Sequence, residues 1–181
     1  MFFDRWRARR ANRLLIDQIH GEIVAAARAP ALYRQAGVAD TIEGRFEMVV
    51  LHAALLVRQL VALGPQGAEM AQELVDRVFR GFEDALREMA IGDAGVARRI
   101  KTMAGDFAGR SRAYAAALDS GDEAALAAAL ARNVYRAPAV SPEAMGLARR
   151  VVAAAATLDQ ARYEDFAAGR FRFPTAEGEA R

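Results

Sequence analysis

The stretch GVADTIEGRFEMVVLHAALLVRQL, Gly37 to Leu60, decides the fold class. Gly37-Val38-Ala39 reads as a connector. Asp40 is placed to cap a helix, with Glu43 three residues on, the spacing of a capping box. The helix that follows is expected to run to Leu63, where Gly64-Pro65 stops it. At 100° per residue its apolar positions nearly encircle it. Phe46, Val49, Ala53, Leu56 and Leu60 form one face, and Met48, Leu51 and Leu55 lie on the others. A helix that is apolar all round is buried. The spacing therefore predicts a central helix wrapped by neighbours.

Outward from it, every strong period is helical, and no segment alternates at period two over strand length. A first helix is expected from about Asp4 to Arg28, ended by Pro30, with a short helical turn at Leu32 and Tyr33. A third runs from about Ala68 to Met89. It has one apolar half and three acid-first i,i+4 pairs (Glu73–Arg77, Asp76–Arg80, Glu83–Arg87) on a face expected to meet water. Gly92-Asp93 restarts the chain. A fourth helix carries Val96, Ile100, Met103, Phe107, Tyr114 and Leu118 as a narrow stripe. Gly105 and Gly109 within it suggest a kink or a close helix contact. Asp122 caps a short helix to about Tyr135, and Ser141-Pro142 opens a last one expected to reach Ala168. The reading is all-α: a single-domain bundle of about six helices with a buried central helix. It comprises an N-terminal basic amphipathic helix (1–29), a helical domain (30–168) and a flexible C-terminal tail (169–181).

Composition narrows the function. The 181 residues suffice for one domain with its own core. Cysteine is absent, which removes disulfides, thiolate metal sites and thiol nucleophiles. Only Lys101 is lysine, so arginine supplies almost all positive charge; this suits carboxylate and phosphate partners, or reflects codon bias. No run has the length of a membrane span and no secretory signal is visible. The expected location is cytoplasmic, or peripheral on the inner face of the cytoplasmic membrane.

A search for chemistry returns no catalytic constellation. His20 and His52 belong to no metal-binding spacing, and His52, among apolar neighbours, reads as structural. Ser120 and Ser141 are explained by a turn and a cap, and no nucleophile elbow or phosphate loop exists. The paired Asp-rich motif with which helical prenyl-diphosphate enzymes hold magnesium is missing. No cofactor or metal is expected. Two basic segments remain. Arg5, Arg7, Arg9, Arg10 and Arg13 flank Phe2, Phe3 and Trp6, a composition that lies on anionic bilayers or simply forms a solvated helix start. Arg98, Arg99, Lys101, Arg110 and Arg112 are opposed only by Asp106 and suit phosphates or an acidic partner, without a motif for sequence-specific nucleic acid.

Three ordered segments then carry a resemblance. They are Asp40-Thr41 with Gly44-Arg45-Phe46-Glu47 and Leu51-His52; Leu86-Arg87-Glu88 with Gly92-Asp93; and Lys101-Thr102-Met103 leading to Phe107, Gly109-Arg110 and Tyr114. In this order and spacing, over about residues 32–135, the sequence resembles the ubiquinol–cytochrome c chaperone family, assembly factors of respiratory complex III. Ala90 stands where the family usually has glycine, and Ala108 where it has tyrosine. The resemblance implies a non-enzymatic chaperone for newly made cytochrome b or another membrane-protein client, acting with a small partner protein near the ribosome.

The candidate partner-binding residues are Arg45, Glu47, Arg87, Glu88, Asp93, Arg98, Arg99, Lys101, Arg110 and Tyr114. Phe2, Phe3, Trp6, Arg9 and Arg10 are candidates for a membrane surface. Arg45 and Glu47 are charges on an otherwise buried helix, so they must be paired or face a partner. Arg87, Glu88 and Asp93 are the expected internal partners. The alternatives are a peripheral membrane or ribosome-associated adaptor, and an all-helical enzyme on isoprenoid-like substrates.

Overall fold

A computed structural model describes residues 2–173, with side chains from Arg10 onward. Among the described residues all regular structure is helical: α1 (Phe2–Ala27), α2 (Pro30–Arg34), α3 (Ile42–Ala62), α4 (Pro65–Glu88), α5 (Asp93–Asp119), α6 (Glu123–Asn133), α7 (Pro142–Leu158) and α8 (Tyr163–Ala167). The two five-residue helices, α2 and α8, account for the difference from the six expected.

α3 is the central helix, packed against α1, α4, α5 and α7. Met48, Leu51, Leu56 and Leu60 are fully buried on its different faces. Its entry differs from the expectation. Thr41, not Asp40, is the N-cap, and its Oγ1 accepts the Gly44 N–H at 3.1 Å. Asp40 is drawn away because its carboxylate accepts from Arg45 Nε at 2.7 Å. Gly44 is required here: the connector folds back so tightly that a side chain would collide with the Ala39 carbonyl oxygen.

Cross-helix pairs give the orientation of the rest. Glu47 meets Arg110 and Arg58 meets Asp119, so α5 runs alongside α3 in the same direction. Arg77 bonds to Asp17 and Asn12 bonds to Glu73, so α1 lies along α4. The charged face of α4 is exposed at Glu73, Asp76, Arg80 and Arg87, as expected, but its pairing differs. Of its three anticipated i,i+4 pairs, Glu83–Arg87 forms, at 3.7 Å. Glu73 is taken by Asn12 across the helix interface and Asp76 by Gln72. Gly105 and Gly109 open no close contact: nothing stands within 4 Å of where their side chains would begin.

The C-terminal region also departs from expectation. α7 ends at Leu158, capped by Asp159, and α8 follows as a separate turn. Residues 169–173 do not fray; Phe171 and Phe173 are buried with Phe166 against the core. The rest of the expected tail, 174–181, lies outside the described residues.

Candidate functional site

The charged residues of the central stretch find partners other than those expected. Arg45 is exposed, bonded to Asp40, with its guanidinium 5.9 Å from the Tyr33 ring. Glu47 is buried, and its Oε1 accepts from Arg110 Nη2 at 2.8 Å. Arg110 also reaches Asp106 at 3.2 Å, one turn earlier on α5. Arg87, Glu88 and Asp93 are not the partners of Arg45 and Glu47. Arg87 pairs within α4, and Glu88 and Asp93 are exposed. The physical reason is register: α5 presents Arg110, not its first turn, beside Glu47.

Around the Glu47–Arg110 pair sits a small polar cluster. Tyr114, one turn after Arg110, is buried, and its hydroxyl accepts from Asn133 Nδ2 of α6 at 3.2 Å. Burial pushes Tyr114 up to about 12 and so keeps the hydroxyl protonated. Burial also raises the Glu47 carboxyl, against the pull of Arg110. Glu47 Oε2, Arg110 Nε and Ser111 Oγ are buried with no hydrogen-bond partner among the described residues. Arg136, in the α6–α7 connector, holds a left-handed φ of 51° and adds positive potential at Glu47. Sequence reading found Glu47, Arg110 and Tyr114 but missed Asn133 and Arg136, which lie beyond the quoted motifs. The usable signal was an acid within the apolar run of α3 and an arginine at the edge of the apolar stripe of α5.

A second feature is the projecting start of α5. About 25 Å of α5 precede Arg110, whereas α3 supplies only about 8 Å before Glu47. From Asp93 to Phe107 only Val96 and Phe107 are buried. The segment is braced by α4 through an aromatic seam: Phe79 lies 5.8 Å from Phe107 and 5.7 Å from Phe82, and Phe82 lies 4.7 Å from Phe46 of α3. Arg98, Arg99 and Lys101 are exposed on this arm, and Glu88 and Asp93 stand at its tip. The arm and the buried cluster share α5, and the seam ties the arm to Phe46, next to Glu47 on α3. The expected partner-binding residues thus divide into an exposed set and a buried set.

Of the expected membrane-surface residues, Phe2, Phe3, Trp6 and Arg9 belong to α1, but their side chains lie outside the described residues. Arg10 is exposed. No helix among the described residues is long and apolar enough to cross a membrane. His52 behaves as structural: its Nδ1 lies 2.7 Å from the Met48 carbonyl oxygen, and burial lowers its pKa to about 4.

The sequence model of the family described as "Ubiquinol-cytochrome C chaperone" matches residues 34–173. The crystal structure of the Cbp3 homolog from Brucella abortus is similar throughout: 37% identity, a TM-score of 0.86, and coverage of 98% of this chain and 99% of that one. No match among curated proteins accompanies them. The family match spans well over half of the sequence, from the last residue of α2 to Phe173, and includes the Glu47–Arg110 cluster and the arm. The chain therefore belongs to the ubiquinol-cytochrome C chaperone family.

Proposed function

We propose that this protein is a non-enzymatic assembly chaperone that holds newly made cytochrome b until it enters the ubiquinol–cytochrome c reductase complex. The family match over residues 34–173 carries the reading. Physical features support it. The arm presents Arg98, Arg99, Lys101, Glu88 and Asp93 to solvent, while Arg110, Glu47 and Tyr114 anchor its base in the bundle. Arg45 of α3 and Arg87 of α4 are also exposed. A rigid base with an exposed, thinly packed arm suits reversible contact with a client.

Deletion of the gene is expected to lower the amount of assembled complex III, and photo-crosslinkers at Arg98 or Lys101 are expected to capture cytochrome b. Normal complex III in the deletion strain would defeat the respiratory role. A second reading rests on the exposed cations of α5, which suit an anionic surface on the ribosome or the inner membrane face. Reversing Arg98, Arg99 and Lys101 to glutamate would then release the protein from that surface with its fold intact.

A further inference from the structure

Beyond α8 the chain runs as an irregular strap. Gly169, at φ 66°, turns it out of the helix, and the next residues lie along a groove formed by α1 and α3 and closed by Phe166. Burial alternates: Phe171 and Phe173 are each 5% exposed, while the Arg172 side chain between them is 65% exposed. That is the period-two pattern of an extended peptide seated on one face. Phe171 stacks 4.7 Å from Phe166, and Phe173 sits 5.0 Å from the His52 ring.

The strap is held as a ligand would be held. Among the described residues, backbone–backbone hydrogen bonding stops at Arg170, whose N–H donates to the Asp165 carbonyl at 3.0 Å. On either side of that point, at Gly169 and Phe173, α1 side chains read the main chain, while Arg172 Nη1 donates to the Phe171 carbonyl at 2.7 Å. Gln18 Nε2 donates to the Gly169 carbonyl at 2.7 Å, and Glu22 Oε2 accepts the Phe173 N–H at 3.2 Å. The other Glu22 oxygen lies 3.6 Å from Arg172 Nε. Main-chain groups are common to all peptides, so selectivity in this groove comes from the two aromatic pockets and their two-residue spacing. His52 is neutral near pH 7, which suits it to an aromatic neighbour.

We infer that this groove is a peptide-binding site occupied in cis by the chain's own Phe171-Arg172-Phe173, and that an extended client segment with two aromatic side chains two residues apart displaces it. The inference rests on the chaperone reading and adds the chemistry of the client to it. The strap then acts as a stand-in that keeps an apolar groove covered until a client arrives. As a purely structural clamp it would instead only hold α1 to α3.

The test uses the full chain and a fluorescent peptide of the strap sequence, Gly-Arg-Phe-Arg-Phe, with an alanine-for-phenylalanine control peptide. The wild-type chain should bind the probe weakly, since an intramolecular competitor acts at millimolar effective concentration. The double variant Phe171→Ala, Phe173→Ala should bind it about tenfold or more tightly, and neither chain should bind the control. Hydrogen exchange on the wild-type chain provides a readout that needs no variant: excess probe should speed exchange at residues 169–173 and leave α3 unchanged. Equal binding of the probe by wild type and a folded double variant, equal binding of both peptides, or unaltered exchange at 169–173 would overturn the inference. Cytochrome b crosslinking is scored separately, so loss of the client reading and loss of the groove reading are told apart.

Discussion

The Glu47–Arg110 pair is asymmetric, because a buried carboxyl can take up a proton and a guanidinium cannot give one up. Glu47→Ala leaves Arg110, 16% exposed, with only Asp106, a partner that faces water. A loss of about 3 kcal/mol in urea unfolding is expected. Arg110→Ala should cost less near pH 5 than near pH 8, since Glu47, already raised by burial, can be neutralised. The double variant should lose less than the sum of the two, the signature of a direct interaction. Ala90 offers the opposite case. It closes α4 in the left-handed region at φ 58°, and the Ile91 N–H behind it donates to the Leu86 carbonyl at 3.3 Å. A side chain there costs about 1–2 kcal/mol, against the roughly 0.5–1 kcal/mol by which glycine loosens the unfolded chain. Ala90→Gly should therefore stabilise the protein by about 0.5 kcal/mol or more, visible as a higher Tm.

At the scale of elements, the start of α3 tests which residue caps it. Thr41 Oγ1 accepts a helix N–H, whereas the Asp40 carboxylate is occupied by Arg45. Thr41→Ala should cost about 1 kcal/mol. Asp40→Ala should cost clearly less, because an exposed ion pair contributes little. Equal losses in thermal unfolding would return the cap to Asp40. The element boundaries show where the sequence was legible. α3 could be read because its apolar residues point in every direction and Gly64-Pro65 stops it. The cap was misplaced by one residue because Asp40 and Thr41 are both good caps, and only the position of Arg45 decides between them. The α4 pairs were misread because i,i+4 spacing on one helix competes with a neighbour that sequence periodicity does not reveal. Asp17 and Asn12 lie some sixty positions from their partners. The strap was missed because a glycine and scattered arginines looked polar; the signal present was Phe-x-Phe, two aromatics at strand spacing.

At the scale of the whole molecule, the helical class and the buried centre follow from period alone, while the site depended on which helices run side by side. That register also sets how the protein responds to acid. Burial lowers both His20 and His52 to about 4, with Arg77 adding to the effect at His20 and Asp17 opposing it. Above about pH 6.5 both rings are neutral in the folded and unfolded chains alike. Below it, the unfolded chain takes up protons that the folded chain refuses until about pH 4, so stability is lost as pH falls through that window. Each ring contributes a slope of at most about 1.4 kcal/mol per pH unit, and less at His20, which solvent partly screens. Glu47 works the other way: its raised pKa makes the folded state the first to take its proton, which offsets part of the loss near the acid end. Urea midpoints measured between about pH 7 and pH 4 should therefore fall steadily and then flatten. His52→Gln should remove the larger share of the fall, since its amide can still donate to the Met48 carbonyl without titrating. Because Phe173 rests on His52, the protection factors of residues 169–173, corrected for the intrinsic pH dependence of exchange, should fall over the same window in the wild-type chain and hold steady in His52→Gln. An unchanged midpoint in the wild type from pH 7 to pH 4 would mean that neither ring is shielded from its proton as the packing requires.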